Sequence, residues 1–543
     1  MIQFDHVSFA YGDAAPVLDN VNLSVEEGHF ALVTGRTGTG KSTLLGLVNG
    51  HVPHFTGGHM AGHVRVAGQD TRQLMPRDLA EIVGVVAQDP MAGFVTDTVE
   101  EELAYGMEQL GVKPATMRQR VEDVLDLLSI EPLRTKALRS LSGGQQQRVA
   151  IASVLAAGAR LLVLDEPTSA LDPTSAEEVL AALLRLVHDA GITLLIAEHR
   201  LERVAEYADT VINVANGSAT LTTPGSALAD SPLAPPVVRL GRLMGWRPLP
   251  LSVREARRES AGLREHLAGL TPSNFPTHDS GPAAAGTGLR ADGLRVTYGS
   301  NLAVDDVTLT LPGGTVTALM GRNGSGKSSL LWALSGVGSH AGGTWQVGGV
   351  ALSKAAPAVV RRHIRLVPQT AADLLYLPLV ASELDRADKS NGQPGGTCRA
   401  ILDDILPNVP GQANPLDLSE GQKLAVVLAV QLTGNPPVIL LDEPTRGLDQ
   451  VAKMALGKTL TRLAAAGRAV CVATHDVEFV ALVADQVAVL AGGQLIASGA
   501  PAEVLSSSVT FSPQVTKVML PQRWLTVDQV AKALAAPTRG CDA

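Results

Sequence analysis

The sequence predicts an α/β fold with largely parallel sheets, built twice along one chain. In each half, apolar runs of strand length alternate with helical patterns, which is typical of parallel sheets that helices cover on both faces. A glycine-rich motif for phosphate binding, G-x-x-x-x-G-K-[ST], occurs at residues 35–42 and again at 321–328. The same further motifs follow each copy in the same order. A repeat this long indicates two copies of one domain, because solenoid repeats have periods of roughly 20–50 residues.

Each phosphate-binding motif lies between a predicted strand and a predicted helix. Backbone N–H groups of such a loop surround phosphate oxygens, the lysine reaches the β- and γ-phosphates, and the helix N-terminus adds its dipole. The serine after the lysine offers its hydroxyl to Mg²⁺. The predicted nucleotide-binding residues are Gly35, Arg36, Thr37, Gly38, Thr39, Gly40, Lys41, Ser42 and Thr43 in the first half, and Gly321, Arg322, Asn323, Gly324, Ser325, Gly326, Lys327, Ser328 and Ser329 in the second.

Each half also has an apolar run that ends in two acidic residues. The two pairs are Asp165-Glu166 and Asp442-Glu443. Because Mg²⁺ keeps much of its hydration shell, Asp165 and Asp442 are expected to hold its waters. Phosphoryl transfer to water depends mainly on position and charge neutralisation, so Glu166 and Glu443 are expected to orient and deprotonate the attacking water. An ordinary strand end is the alternative, but it does not explain the spacing to the phosphate loop.

Composition and charge limit the function classes. The 543 residues are 45% hydrophobic and 18% charged, which are globular values. The net charge of −9 argues against a nucleic-acid groove, which needs clustered Lys and Arg. No run reaches the ~18 apolar residues of a membrane-spanning helix, and no signal segment opens the sequence.

The cysteines and histidines do not predict a metal site. The three cysteines, Cys398, Cys471 and Cys541, lack metal-ligand spacing, and Cys471 is predicted to be a buried strand thiol of a reduced, cytosolic protein. The histidines near the first phosphate loop lack the paired close spacing of metal ligands. They are His51, His54, His59 and His63.

The order of motifs and the composition predict five segments. A stretch rich in Gly, Pro, Ala and Ser at 270–288 favours a flexible linker between the two halves. The segments are a first nucleotide-binding domain at 1–232, its helical C-terminal extension at 233–260, the linker at 261–288, a second nucleotide-binding domain at 289–505 and a second C-terminal extension at 506–543.

A short motif between the phosphate loop and the acidic strand suggests the family. It reads Leu141-Ser142-Gly143-Gly144-Gln145 in the first half and Leu418-Ser419-Glu420-Gly421-Gln422 in the second. With the phosphate loops, it resembles the signature of ABC-type ATPases, and the resemblance covers nearly all the chain. The resemblance implies, in each half, a RecA-like parallel-sheet core, an antiparallel β subdomain and a helical subdomain. It also implies ATP and Mg²⁺ as cofactors, with ATP contacts from Ser142, Gly143, Gly144, Gln145, Ser419, Gly421 and Gln422.

Further motifs of this family match in order. They are the Q-loop glutamines Gln88 and Gln369, the D-loops at 169–172 and 446–449, and the switch histidines His199 and His475. The resemblance implies that the glutamines contact Mg²⁺ and that the histidines contact the γ-phosphate. Tyr11 and Tyr298 each precede a glycine at matching positions, so they are expected to stack on adenine, with a simple core aromatic as the alternative.

The family resemblance also predicts how the two halves work together. Such domains pair head to tail, so the halves are expected to pair within the chain, and the signature of one completes the ATP site of the other. Glu420 departs from the pattern because it replaces a glycine. It either weakens the site that contains Lys41 by adding negative charge near the γ-phosphate, or it faces away without effect.

Four segments resemble one branch of the family. Residues 88–104 resemble the Q-loop region of energy-coupling factor (ECF) transporter ATPases, and 368–376 form a looser version. Residues 249–256 and 523–530 resemble the helical C-terminal extension of the same ATPases. This resemblance implies uptake of a vitamin or a transition-metal ion, a transmembrane coupling subunit, a substrate-binding membrane subunit and a location on the cytoplasmic face of the cell membrane.

Two other classes share the ATP chemistry. A conventional sugar or peptide importer ATPase differs in the Q-loop region and in the C-terminal pieces. A soluble tandem ABC protein that acts on ribosomes would be expected to have a long, charged, Arg-rich helical linker, and 270–288 has the opposite composition.

Overall fold

The computed structural model describes residues 1–270, 272, 288–338 and 342–535. The chain divides into two compact units, Met1–Ser252 and Val253–Ala543. This boundary falls inside the segment 233–260 that the sequence predicts as one extension. The domain limits themselves stay a prediction.

The first unit contains two sheets. Its strands are β1 (Ile2–Ala10), β2 (Leu18–Val25), β3 (Phe30–Thr34), β4 (His59–Val66), β5 (Gln69–Asp70), β6 (Val83–Val86), β7 (Leu161–Asp165), β8 (Thr193–Ala197), β9 (Thr210–Ala215) and β10 (Ser218–Thr222). Six strands form a sheet in the order β10-β9-β3-β8-β7-β6, and all its neighbours are parallel except β9 and β10. The other four form an antiparallel sheet in the order β2-β1-β4-β5.

Ten α-helices accompany these sheets. They are α1 (Lys41–Val48), α2 (His51–His54), α3 (Pro76–Leu79), α4 (Val99–Gln109), α5 (Pro114–Leu127), α6 (Gly143–Ala156), α7 (Pro173–Ala190), α8 (Leu201–Val204), α9 (Pro224–Leu228) and α10 (Pro236–Met244). The D-loop fixes the start of α7, because the Asp172 side chain accepts a hydrogen bond from Ser175 N at 3.0 Å and Pro173 takes the first helical position.

The second unit repeats this arrangement. Its strands are β11 (Leu289–Tyr298), β12 (Asn301–Leu311), β13 (Val316–Met320), β14 (Gly342–Val347), β15 (Val350–Ala351), β16 (Ile364–Val367), β17 (Val438–Asp442), β18 (Ala469–Ala473), β19 (Gln486–Ala491) and β20 (Gln494–Gly499). The sheet orders are β16-β17-β18-β13-β19-β20, parallel except for β19 and β20, and β12-β11-β14-β15, antiparallel.

The helices of the second unit include a group before its first strand. They are α11 (Val253–Glu259), α12 (Ala261–His266), α13 (Lys327–Leu334), α14 (Pro357–His363), α15 (Val380–Ser390), α16 (Thr397–Ile405), α17 (Glu420–Leu432), α18 (Gln450–Ala465), α19 (Val477–Val483), α20 (Pro501–Ser506), α21 (Gln514–Met519) and α22 (Val527–Ala535). Asp449 caps α18 as Asp172 caps α7, since its carboxylate accepts from Ala452 N at 2.8 Å.

The central parallel strands carry the core of each unit. All five residues of β3, β8, β13, β17 and β18 are buried, as continuous apolar strands covered on both faces should be. Each fully buried Leu or Val contributes about 1.5–3 kcal/mol. Cys471 lies inside β18, and burial raises the pKa of its thiol to about 12. The predicted buried thiol is confirmed; Cys541 lies outside the described residues.

These sheets and helices confirm the predicted fold class. Each unit has a parallel core sheet, an antiparallel sheet and a helical segment. The helical segment lies between β6 and β7 in the first unit, as α4–α6, and between β16 and β17 in the second, as α15–α17. In the parts of the chain that the structure describes, no helix is both long and apolar enough to cross a bilayer.

The beginning of the predicted linker is helical. Residues 261–266 form α12, and Leu263 and Leu267, four positions apart, are buried on one face. Arg264 Nη1 donates to Val518 O at 3.0 Å, and Gln522 Nε2 donates to Arg264 O at 2.6 Å. The prediction of a flexible segment was wrong for 261–266, because these contacts fix it against α21. Most of 270–288 lies outside the described residues.

Candidate nucleotide sites

The phosphate loops connect β3 to α1 and β13 to α13. Their glycines adopt positive φ angles, with 155° at Gly35 and 102° at Gly40. A Cβ atom at Gly35 would lie 2.4 Å from Val214 O, and at Gly326 it would lie 2.3 Å from Ala303 O. The loops therefore need glycine for both backbone conformation and close approach.

The two loop lysines are buried at the first residue of α1 and α13. Lys41 Nζ donates to the carbonyl oxygens of Gly35 at 3.0 Å and Arg36 at 3.1 Å. Lys327 Nζ makes the same two bonds, at 2.8 Å and 3.1 Å, to the equivalent carbonyls. A buried ammonium needs acceptors, and these carbonyls hold it at the centre of the loop.

A serine and an aspartate meet beside each loop. Ser42 Oγ donates to Asp165 Oδ2 at 2.9 Å, and Ser328 hydrogen-bonds Asp442. Burial raises the pKa of Asp165, and it raises the pKa of Asp442 to about 6. Asp442 Oδ1 is buried and has no hydrogen-bond partner among the described residues. A buried carboxylate oxygen left in this way beside a hydroxyl fits a hard cation such as Mg²⁺.

The next residue in each half has a strained backbone. Glu166 has φ 50° and Glu443 has φ 47°, in the left-handed region that costs a non-glycine residue about 1–3 kcal/mol. The amide of each donates at 2.8 Å to the neighbouring strand, Glu166 to Ala197 O and Glu443 to Ala473 O. This bond extends the sheet and fixes the strained conformation at its carboxyl edge.

The switch histidines lie against these glutamates. His199 Nε2 is 3.0 Å from Glu166 Oε1, and His475 Nδ1 is 2.9 Å from Glu443 Oε1. All four side chains are largely buried. The structure therefore brings together each predicted glutamate and histidine, but through different ring nitrogens.

The two Q-loop glutamines are placed differently. Gln88 Nε2 donates to Glu166 Oε2 at 3.2 Å and to Ser169 Oγ at 3.3 Å. Gln369 is exposed and makes no hydrogen bond to the described residues. Of the two Q-loop glutamines, only Gln88 therefore contacts the glutamate of its own half.

The sequence motifs predict no role for the residue before each switch histidine. Glu198 precedes His199, and Thr474 precedes His475; both side chains are buried, and Thr474 Oγ1 donates to Glu443 Oε2 at 3.3 Å. A second unpredicted contact is the buried ion pair of Lys453 Nζ and Asp476 Oδ2 at 2.6 Å. The sequence feature that could have indicated Glu198 and Thr474 is a polar residue at the end of an apolar strand, directly before the switch histidine.

The signature serines begin helices α6 and α17. Gln145 N donates to Ser142 Oγ at 3.4 Å and Ser142 N to Gln145 Oε1 at 3.0 Å, and Ser419 and Gln422 form the same capping box. Glu420, the first residue of α17, is 53% exposed and pairs with Lys423 Nζ at 2.9 Å. This pair offsets the charge of Glu420 within its own helix.

The two predicted adenine-stacking rings are both partly exposed. Tyr11 is 38% and Tyr298 is 49% exposed, so neither is a buried core aromatic. The Tyr11 hydroxyl lies 3.0 Å from Thr43 Oγ1, and its ring packs edge-on against Phe9 at 4.8 Å. These contacts place Tyr11 beside α1; stacking on adenine stays a prediction.

A groove of about 1010 Å³ lies beside the first site. Ser42, Gln88 and Asp165 line part of it, and Val85 and Val95, which are 47% and 61% exposed, also line it. The buried Glu102 of α4 accepts from Val95 N and Thr96 N at 3.0 Å each and so fixes the loop that presents Val95. In the second unit, Glu383 likewise accepts from Leu377 N at 2.6 Å.

Comparisons with known proteins identify the same repeat. A family model described as ABC transporter matches residues 18–169 and 304–446. The chain is 52% identical to a protein of Streptomyces avermitilis over 98% of its length and 100% of the relative, and 50% identical to one of Streptomyces coelicolor with the same coverage. It is 33% identical to a protein of Saccharolobus solfataricus over 92% of this chain and 93% of the relative. All three are named as ABC transporter ATP-binding proteins.

One solved structure is similar to less than half of the chain. It is cbiO1 from Clostridium perfringens, part of the ABC transporter complex cbiONQ, with 28% identity. The match covers 42% of this chain and 90% of that one, with a TM-score of 0.38.

Proposed function

Because the chain belongs to the ABC transporter family and is an ATPase, we propose that it powers an importer of the energy-coupling factor type, which takes up a vitamin or a transition-metal ion. One observation carries the coupling role. Gln88 contacts Glu166 directly and lines the same groove as the exposed Val95. A partner bound at this loop could therefore change the position of the carboxylate.

The residues of each site have distinct tasks in ATP hydrolysis. Lys41 and Lys327 hold the β- and γ-phosphates, and the loop N–H groups surround them. Glu166 and Glu443 orient and deprotonate the attacking water, while each histidine fixes its glutamate and contacts the γ-phosphate. Mg²⁺, when bound beside Ser42 and the equivalent Ser328, neutralises charge on the phosphate oxygens.

The proposed partners are membrane proteins. A transmembrane coupling subunit would dock at the groove beside Gln88, and a separate membrane subunit would bind the substrate. The chain would then lie on the cytoplasmic face of the cell membrane. The ECF type is supported by the resemblance of 88–104 and of the two C-terminal pieces. The pairing of the halves within one chain stays a prediction.

Purification of the tagged full-length chain from detergent-solubilised membranes of its own cells tests this function. We expect to recover one coupling subunit and one or more small substrate-binding membrane proteins. A permease that works with a soluble sugar- or peptide-binding protein would instead support the conventional importer. Ribosomes in place of membrane proteins would overturn the transport function.

A further inference from the structure

The residue before the switch histidine differs between the two halves. It is Glu198 in the first and Thr474 in the second, and these side chains are 1% and 0% exposed. Each follows the end of an equivalent strand, β8 or β18. A buried carboxylate and a buried hydroxyl at the same position make different hydrogen bonds, so the catalytic glutamates have different surroundings.

In the first half, the hydrogen bonds of the Glu198 carboxylate go to residues other than Glu166. Its Oε2 accepts from Thr168 Oγ1 at 2.6 Å. Its Oε1 accepts from the amides of His199 at 2.9 Å and Arg200 at 3.2 Å. A donor to Glu166 besides His199 is Gln88 of the Q-loop, whose Nε2 lies 3.2 Å from Oε2.

In the second half, Thr474 contacts the catalytic carboxylate itself. Thr474 Oγ1 donates to Glu443 Oε2 at 3.3 Å, while His475 lies at Oε1. The same hydroxyl accepts from Asp476 N at 3.1 Å, which orients it. The Thr474 hydroxyl thus donates to the carboxylate oxygen that corresponds to the one bound by Gln88 in the first half. The equivalent glutamine of the second half, Gln369, is exposed.

We infer that Thr474 is a positioning residue for ATP hydrolysis at the second site, where it replaces the Q-loop glutamine as the second donor to the carboxylate. A buried carboxylate requires hydrogen-bond donors to stay ionised and in place. A donor at the end of a core strand is part of the rigid sheet, whereas one on the Q-loop lies on a surface loop. The inference rests on the proposed catalytic role of Glu443.

Single-turnover hydrolysis in a Glu166→Gln background isolates the second site. Excess protein is mixed with radiolabelled Mg-ATP, and the rate constant is measured beside the Kd for ATP. Thr474→Val should lower the rate about tenfold and change the Kd by less than about twofold, because a hydroxyl bond to a charged group is lost. Thr474→Ser keeps the hydroxyl and should restore the rate to within about twofold.

Two controls separate positioning from folding. Thr459→Val removes another buried hydroxyl, which donates to Ala455 O within α18 at 3.1 Å, and should leave the rate unchanged. If Thr474→Val does not fold, the pair Thr474→Ser and Thr474→Ala gives the same comparison, since both lack the methyl group and differ in the hydroxyl. Equal rates for variants with and without the hydroxyl would overturn the inference. Continued hydrolysis in Glu166→Gln/Glu443→Gln would instead remove the catalytic role of Glu443.

Discussion

Gln88 Nε2 donates a hydrogen bond of 3.2 Å to Glu166 Oε2, although 78 residues separate the two in the chain. Gln88 follows the edge strand β6, and Glu166 follows its neighbour β7, so the parallel pairing of these strands brings both to one edge of the sheet. Brought together in this way, a surface loop and the carboxylate proposed as the catalytic base can respond to each other.

The double variant Glu166→Gln/Glu443→Gln should bind ATP and fail to turn it over. Glutamine keeps the size of the side chain but cannot accept the proton of the attacking water. We expect steady-state hydrolysis to fall at least about a hundredfold, with the Kd for Mg-ATP within about threefold of the native value. Turnover at the native rate would show that neither glutamate is the base.

Val95→Glu should prevent partner binding and leave basal hydrolysis nearly intact. Val95 is 61% exposed at the groove, so a carboxylate there is tolerated by the fold but opposes docking of an apolar partner segment. The measurement is recovery of membrane partners with the tagged variant, beside its ATPase rate without them. Ile496→Glu is the matched control, since Ile496 is 63% exposed on β20. Full partner recovery with Val95→Glu would exclude this surface.

The sequence predicts which residues meet at each candidate site because the chemistry of phosphate binding leaves few choices. Gly35 approaches Val214 O so closely that no side chain fits, and Lys41 must lie at the start of a helix to reach phosphates. Such constraints produce fixed spacings, and fixed spacings can be recognised in one sequence. The parallel core follows for a similar reason, because strands buried on both faces are continuously apolar.

The unpredicted features depend on contacts between distant residues. Glu198 bonds Thr168, 30 residues away, and nothing in either local sequence states that the two meet. The Q-loop motif predicts the same role for Gln88 and Gln369. In the structure only Gln88 contacts its glutamate, whereas Thr474 donates to the glutamate of the second half. The Gly- and Pro-rich composition of the linker does not predict helix α12, because this helix is held by contacts with α21 such as that of Arg264 Nη1 with Val518 O.

Glu420→Gly should change steady-state turnover by less than about twofold, because Lys423 already pairs with this carboxylate. Lys423→Ala should lower turnover more, since it leaves the charge of Glu420 at the start of α17 unbalanced. The double variant should return towards the native rate. Lys389→Ala on α15, which removes an exposed lysine in the same unit, serves as the control. A large gain from Glu420→Gly alone would show that the acid weakens a site despite its pair.

Asp442→Asn should stabilise the second unit while it impairs Mg²⁺ binding. Burial raises the pKa of Asp442 from 3.8 to about 6 in the folded protein. The folded state therefore binds this proton more tightly than the unfolded state, and ionisation above pH 6 costs the folded state up to about 3 kcal/mol. The cost disappears as the pH falls from 6 towards 4, and asparagine does not incur it at any pH.

The measurement is thermal unfolding of the native and variant chains without nucleotide or Mg²⁺, at pH 7.5 and at pH 5. We expect Asp442→Asn to raise the Tm at pH 7.5 and to give a smaller gain at pH 5, where the native carboxyl is largely protonated. Asp449→Asn is the control, because asparagine can also cap α18 and the change should not depend on pH in this way. A gain of equal size at both pH values would mean that the buried charge of Asp442 is not its source. With Mg-ATP present, the native chain should have the higher Tm. Its Asp442 carboxylate, whose buried Oδ1 has no hydrogen-bond partner among the described residues, would then bind the cation.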